Sequence, residues 1–242
     1  MIDRQQARIL GKEIAGLIQQ GQNEQACLKI YPILNERISF SILEEIGKPI
    51  GAIAFPAGQQ FLEWIARKKT EGGWVVIAAA LREDLQRDFL TSFMLGHGYI
   101  IAANVWYAAD IFGERVPGPA LLINFEQALL QLDPWRYDSN RWVRRTVGVA
   151  VHFWAKRARF IPDSCGEAER LLEFLEPLFS EKDMDAVKGI GWGLKTLGRY
   201  FPEVTTNWLR QMVLVEQRPH RALMLRKALT FIPVEQKAEF DG

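Results

Sequence analysis

The segment DSNRWVRRTVGVAVHFW, residues 138–154, returns in weakened form as DMDAVKGIGWGLKTLG at 183–198. MLRKALTFIP at 224–233 echoes both. The two longer copies begin with Asp, continue with Val followed by Arg or Lys, and run on as small and apolar residues. Their apolar positions recur with the spacing of a helix, not with the alternation of a strand. The copies lie about 40–45 residues apart, a period that belongs to arrays of paired helices whose stacking buries a continuous core.

Working outward, the same helical spacing fills almost the whole chain. Ile9, Ile14, Leu17 and Ile18 mark a first helix that ends near Gly21. NEQACLKIYPILNER predicts a second, bent at Pro32. PAGQQFLEWIARKK predicts a third, with Pro56 at its start and basic residues at its end. Further helices are predicted at roughly 74–83, 84–96, 99–112, 119–132, 139–157, 166–180, 184–200, 203–214 and 219–231. GKPIGAIAFPAG at 47–58 reads as the most loop-like stretch, and no Asn-Gly or Asp-Gly hairpin signal supports a sheet. The expected architecture is all-α: one domain over residues 1–242, a HEAT-like helical-repeat solenoid or α-α superhelix. Such arrays carry a concave binding face, here expected to be a basic groove.

The 242 residues carry a net charge of +1, so the overall balance points to no partner, but the distribution is uneven. Residues 1–135 hold 12 Lys and Arg against 15 Asp and Glu, whereas residues 136–242 hold 18 against 14. Between Arg136 and Phe160 stand seven basic residues and one acid, Asp138; from Lys188 to Lys227 only Glu203 and Glu216 oppose the cations. Basic surface gathered in one half is what a polyanion binder shows, although solvated helix faces give the same count. Cys27 and Cys165 are far apart and outside any CxxC spacing, so neither a disulfide framework nor a zinc site is expected. His97, His152 and His220 show no ligand spacing with carboxylates, and no metal or cofactor is expected. MIDRQQARILGKEIAGLI reads as no signal peptide, and apolar runs such as WVVIAAAL are too short for a bilayer. A cytoplasmic location and no membrane partner are the expectation.

Three stretches look alike when set on a helical wheel. Arg141, Arg145, Gly148, His152 and Lys156 form one face; Lys188, Trp192, Lys195 and Arg199 form another; Tyr99, Ala103, Trp106 and Asp110 form a third. Gly189, Gly191 and Gly193 are costly inside a helix and are expected to leave Trp192 clear of neighbours, the plainer alternative being close helix packing around a core tryptophan. Asp110 lies in the apolar stretch NVWYAADIFGERV, where a buried carboxylate needs a partner or a task. A buried salt bridge, with Arg145 as the partner, is the plain explanation.

VWYAAD, RWVRRTVGVAV and VKGIGWGLKTLGRYFPEV, in that order and at those separations, resemble the AlkD-type DNA alkylation repair proteins, a family of HEAT-like repeats that excise purines alkylated at N3 or N7. The resemblance covers roughly residues 100–210. It implies Asp110 as the catalytic carboxylate, Trp106 and Trp192 as the aromatic walls of an open cleft, and Arg145 as the arginine that holds DNA near the lesion. Arg141, Arg144, His152, Lys156, Lys188, Lys195 and Arg199 are the expected DNA-binding residues around them. The activity implied is that of a monofunctional DNA glycosylase, a hydrolase acting as a monomer on double-stranded DNA that contains alkylated purines. A non-catalytic HEAT-like module that binds structured or damaged nucleic acid is the alternative, and a peptide-binding scaffold a third.

Overall fold

The computed structural model describes residues 2–53 and 57–240. Pro56, the expected helix start, and part of the loop-like stretch at 47–58 lie outside the described residues. Among those described there is no strand, and the fold class is the all-α helical-repeat solenoid. No helix among them is long and apolar enough to cross a membrane. Backbone contacts divide the chain into two compact units, meeting in sequence at Val116 and Pro117.

Unit 1 contains α1 (Arg4–Gln19), α2 (Asn23–Leu34), α3 (Phe40–Gly51), α4 (Gln59–Lys68), α5 (Glu71–Asp84), α6 (Phe89–Ala103) and α7 (Trp106–Arg115). α1, α3, α5 and α7 pack side by side as one layer, and α2, α4 and α6 form a second layer over them. α3 occupies the first residues of the stretch expected to be a loop. Gly47, Pro49 and Gly51 had suggested a break, yet both glycines face α5 across a very short gap. A Cβ on Gly47 would sit 2.5 Å from the carbonyl oxygen of Val76, and one on Gly51 2.1 Å from that of Ala80. These glycines exist for helix packing rather than for turning the chain. Arg87 then closes the end of α3, donating to the carbonyls of Gly51, Ala52 and Ile53 while pairing with the fully buried Asp84.

Two predicted helices are each broken by an asparagine. The expected helix at 99–112 is split at Asn104, which takes the left-handed conformation at φ 48° and ψ 45°. Asparagine tolerates that region because its side chain can bond locally, so the chain turns there into α7. The helix expected at 119–132 is interrupted at Asn124, whose side chain accepts from the amide of Gln127 and starts a new helix.

Unit 2 contains α8 (Pro117–Ile123), α9 (Phe125–Leu132), α10 (Arg141–Ala158), α11 (Cys165–Leu175), α12 (Met184–Tyr200), α13 (Pro202–Leu209), α14 (Ala222–Ala228) and α15 (Val234–Lys237). α8, α10, α12 and α14 pack successively as one layer, with α11 and α13 as neighbours in the other. α10 starts on Asn140, whose side chain accepts from the amide of Trp142; α12 starts on Asp183 in the same way. These two helices are the copies of the sequence repeat, and they cross closely. A Cβ on Gly148 would lie 2.3 Å from the Cα of Ile190, and one on Gly189 2.6 Å from the carbonyl oxygen of Arg145. Gly193 meets the carbonyl of Gly148, and Gly191 faces Lys227 of α14. Close helix packing, the plainer alternative, is what these glycines serve, not clearance around Trp192: Gly148, Gly189 and Gly193 let backbone approach backbone, and Gly191 makes room for the Lys227 side chain.

Candidate functional site

In unit 1 the break at Asn104 separates the four residues assigned to one face. Tyr99 stays on α6, buried, its ring stacked on Phe112 at 6.2 Å. Burial pushes its phenol pKa up, with Glu63 adding to the rise. Trp106 opens α7 and is 55% exposed, with Tyr107 edge-on at 5.8 Å. Asp110 follows one turn later and is half-buried rather than buried, because the core side of α7 is taken by Ala108, Ala109, Ile111 and Phe112. The helix is held in place at its far end. Arg115, 7% exposed, donates from Nε and Nη2 to one oxygen of Glu44 on α3, at 3.0 and 2.7 Å. An indole in solvent and a carboxylate one turn on are thus presented from a fixed helix.

In unit 2 the predicted basic residues sort into two groups by what they touch. The first lies toward the start of α10 and α12. Arg141 sits 3.5 Å from Asp185 and 3.8 Å from Asp183, and Lys188 lies 3.8 Å from Asp185. Arg144 grips Glu181 through Nε at 2.6 Å and Nη2 at 3.3 Å, and also donates to the carbonyls of Asp138 and Ser139. Burial would raise the Glu181 pKa, but the bonds from Arg144 and from the amides of Asp183 and Lys182 outweigh it and hold the carboxyl below its usual range. Arg144 is thereby committed to the fold. Arg145 is 7% exposed and donates from Nη1 to the Asp185 carbonyl at 2.9 Å.

The second group lies toward the end of the same helices. The His152 ring stacks on Trp192 with centroids 3.8 Å apart, and its Nδ1 lies 2.6 Å from Thr196 Oγ1. Thr196 donates its one hydroxyl proton to the carbonyl of Trp192 at 2.9 Å. It must then accept from His152, which places a proton on Nδ1 of the imidazole. Burial, helped by the charge of Lys156, pulls the His152 pKa down to about 4. Trp192 itself is half-buried, at the border of the core. With Lys156, Lys195 and Arg199 these three residues line a cavity of about 210 Å³. Tyr200 and Phe231 complete it; neither was among the expected site residues. Lys195 lies over the Phe231 ring at 5.1 Å and Arg199 at 4.9 Å, so the aromatics orient the cations. The signal in sequence for Phe231 was the third, degenerate copy of the repeat, which places it beside α12.

The sequence model of the DNA alkylation repair enzyme family matches residues 62–232. The chain belongs to this family. The match begins well before residue 100, so membership extends over α5 and α6, where the motif resemblance was thin. It covers Trp106 and Asp110 on α7 as well as the whole α10 to α14 layer. A comparison with curated proteins finds no match. As a DNA alkylation repair family member, the chain has a role in the repair of alkylated DNA.

Proposed function

We propose that the chain is a monofunctional DNA glycosylase that hydrolyses the N-glycosidic bond of purines alkylated at N3 or N7. The observation that carries this reading is the pairing on α7 of an exposed indole, Trp106, with the carboxylate of Asp110 one turn later, in a chain of the DNA alkylation repair family. A tryptophan with more than half its surface in water does little for the core and is suited to be a platform. Alkylation at N3 or N7 makes the purine cationic and a better leaving group. Cleavage of the C1′–N bond develops positive charge on the sugar, which the Asp110 carboxylate stabilises while it orients the attacking water. On α7 the exposed indole of Trp106 attracts a cationic nucleotide, the contact contributing about 0.5–2 kcal/mol, and Trp192 is the second aromatic residue expected to take part. Arg145 holds the backbone near the lesion, and Arg141, His152, Lys156, Lys188, Lys195 and Arg199 extend the DNA-binding surface. Arg144, paired with Glu181, is the weakest contributor proposed for that surface. The partner is double-stranded DNA containing an alkylated purine, bound by a single cytoplasmic domain acting as a monomer.

The test is incubation with a duplex carrying one 7-methylguanine, scored for abasic sites by alkaline strand cleavage. The wild type should produce them. Asp110→Asn should lower excision by orders of magnitude while duplex binding stays within a few-fold. Tight binding by the wild type without any abasic product would assign the chain to the non-catalytic alternative.

A further inference from the structure

The cavity of unit 2 is too small for a nucleotide and too basic to be a packing defect. Its volume of about 210 Å³ falls below the roughly 300–1,000 Å³ of pockets that engulf a drug-sized ligand, so it admits one small group. Lys156, Lys195 and Arg199 line it, and no carboxylate does. None of the three forms an ion pair among the described residues, whereas Arg141, Arg144 and Lys188 on the same two helices all face carboxylates. The rings of Phe231 and Tyr200 orient the cations without neutralising them. Three like charges around a small concavity repel one another, and an anion seated among them relieves that repulsion. The back wall is rigid and polar: His152 and Thr196 are 8% and 6% exposed and locked to each other and to the Trp192 carbonyl.

We propose that this cavity is a phosphate subsite and, resting on the reading of the chain as a DNA-binding repair protein, that it seats one backbone phosphate of the DNA. Arg199 offers a planar fork to two phosphate oxygens, and Lys156 and Lys195 supply point charges. The neighbouring cations, already matched by Asp183, Asp185 and Glu181, contribute less to this locus.

The experiment is a methylphosphonate scan. A duplex carrying one 7-methyl-2′-fluoro-2′-deoxyguanosine, whose sugar fluorine blocks cleavage and whose lesion fixes the register, has single phosphates made neutral one position at a time. Wild-type binding should weaken at one position by about 10-fold or more, the loss of one charge-assisted contact. The double variant Lys195→Ala, Arg199→Ala should bind with no dip at that position; Lys156→Gln, a solvent-facing change, serves if the double variant does not fold. In parallel, inorganic phosphate at constant ionic strength should shift the His152 imidazole resonances of the wild type, and chloride should not. Identical scan profiles for wild type and a folded variant would overturn the subsite while leaving DNA binding intact. If the wild type bound no duplex, the DNA reading would fall, and the phosphate titration alone would decide the cavity: a shift supports it, and none overturns it.

Discussion

His152 Nδ1 donates to Thr196 Oγ1 at 2.6 Å, while the Thr196 hydroxyl spends its own proton on the carbonyl of Trp192. Nδ1 therefore carries a proton, and burial with the charge of Lys156 lowers the pKa to about 4 against an ordinary 6.5, so the ring is neutral near pH 7. The unfolded chain takes up the second ring proton first on acidification. Stability from this group is full above about pH 6.5 and is lost as the pH falls toward 4, by roughly 3 kcal/mol in all. Urea midpoints measured between pH 7 and pH 4 should decline over that window. His152→Gln should flatten the decline, and an unchanged slope in that variant would place the titrating group elsewhere.

Glycines that look alike in sequence should respond in opposite ways to alanine. Gly148→Ala drives a Cβ into the backbone of Ile190 and Gly189 and should cost at least about 1–3 kcal/mol. Gly98, in α6, has open space around its Cβ direction, and Gly98→Ala should stabilise by about 0.5–1 kcal/mol. Chemical denaturation of both variants checks the pair. A wild-type midpoint for Gly148→Ala would contradict the close approach of α10 to α12.

Arg144 and Lys195 are both cations of the basic half, but only the first holds a half-buried carboxylate. Arg144→Ala leaves Glu181 without its main partner and should lower stability by roughly 1–3 kcal/mol. It should leave the slope of log K against log salt for duplex binding where it was. Lys195→Ala should do the reverse, flattening that slope by about one unit with little change in melting temperature. Equal salt slopes for the two variants would mean that the basic surface acts as a diffuse charge.

Trp106→Ala should separate function from folding. Truncating a core tryptophan costs about 3–5 kcal/mol, the outcome expected for the fully buried Trp154. Trp106 is exposed, so its variant should melt near the wild type while excision of 7-methylguanine falls by about 10-fold or more. A large drop in melting temperature would return Trp106 to the core and remove it from the site.

Most helices could be read from sequence, and where the apolar period runs unbroken the bounds follow as well: α5, α10 and α12 fall close to their predicted ranges. α3 was missed because glycine and proline carry two meanings. In Gly47-Lys48-Pro49-Ile50-Gly51 they suggest a loop, and only the position of Val76 and Ala80 shows that the missing side chains make room for a neighbour. The break at Asn104 was missed for the opposite reason, since one left-handed residue hardly disturbs an apolar count. The faces of α10 and α12 were legible as helical spacings. What a wheel cannot carry is the partner across the repeat: Glu181 for Arg144, Asp185 for Arg141, and Phe231 beside Lys195 and Arg199 are each set by packing between helices far apart in the chain.

The glycines between α10 and α12 also bear on how this surface can change over time. Where two backbones touch, the interval between the helices is fixed by peptide geometry and owes nothing to the side chains on their outer faces. Lys188, Trp192, Lys195 and Arg199 can then be exchanged for other residues without altering the pitch at which successive helices present them. The frame and the lettering on it are separately mutable. A different ligand can be recognised on this scaffold by rewriting a few outward positions, so long as Gly148, Gly189 and Gly193 stay bare.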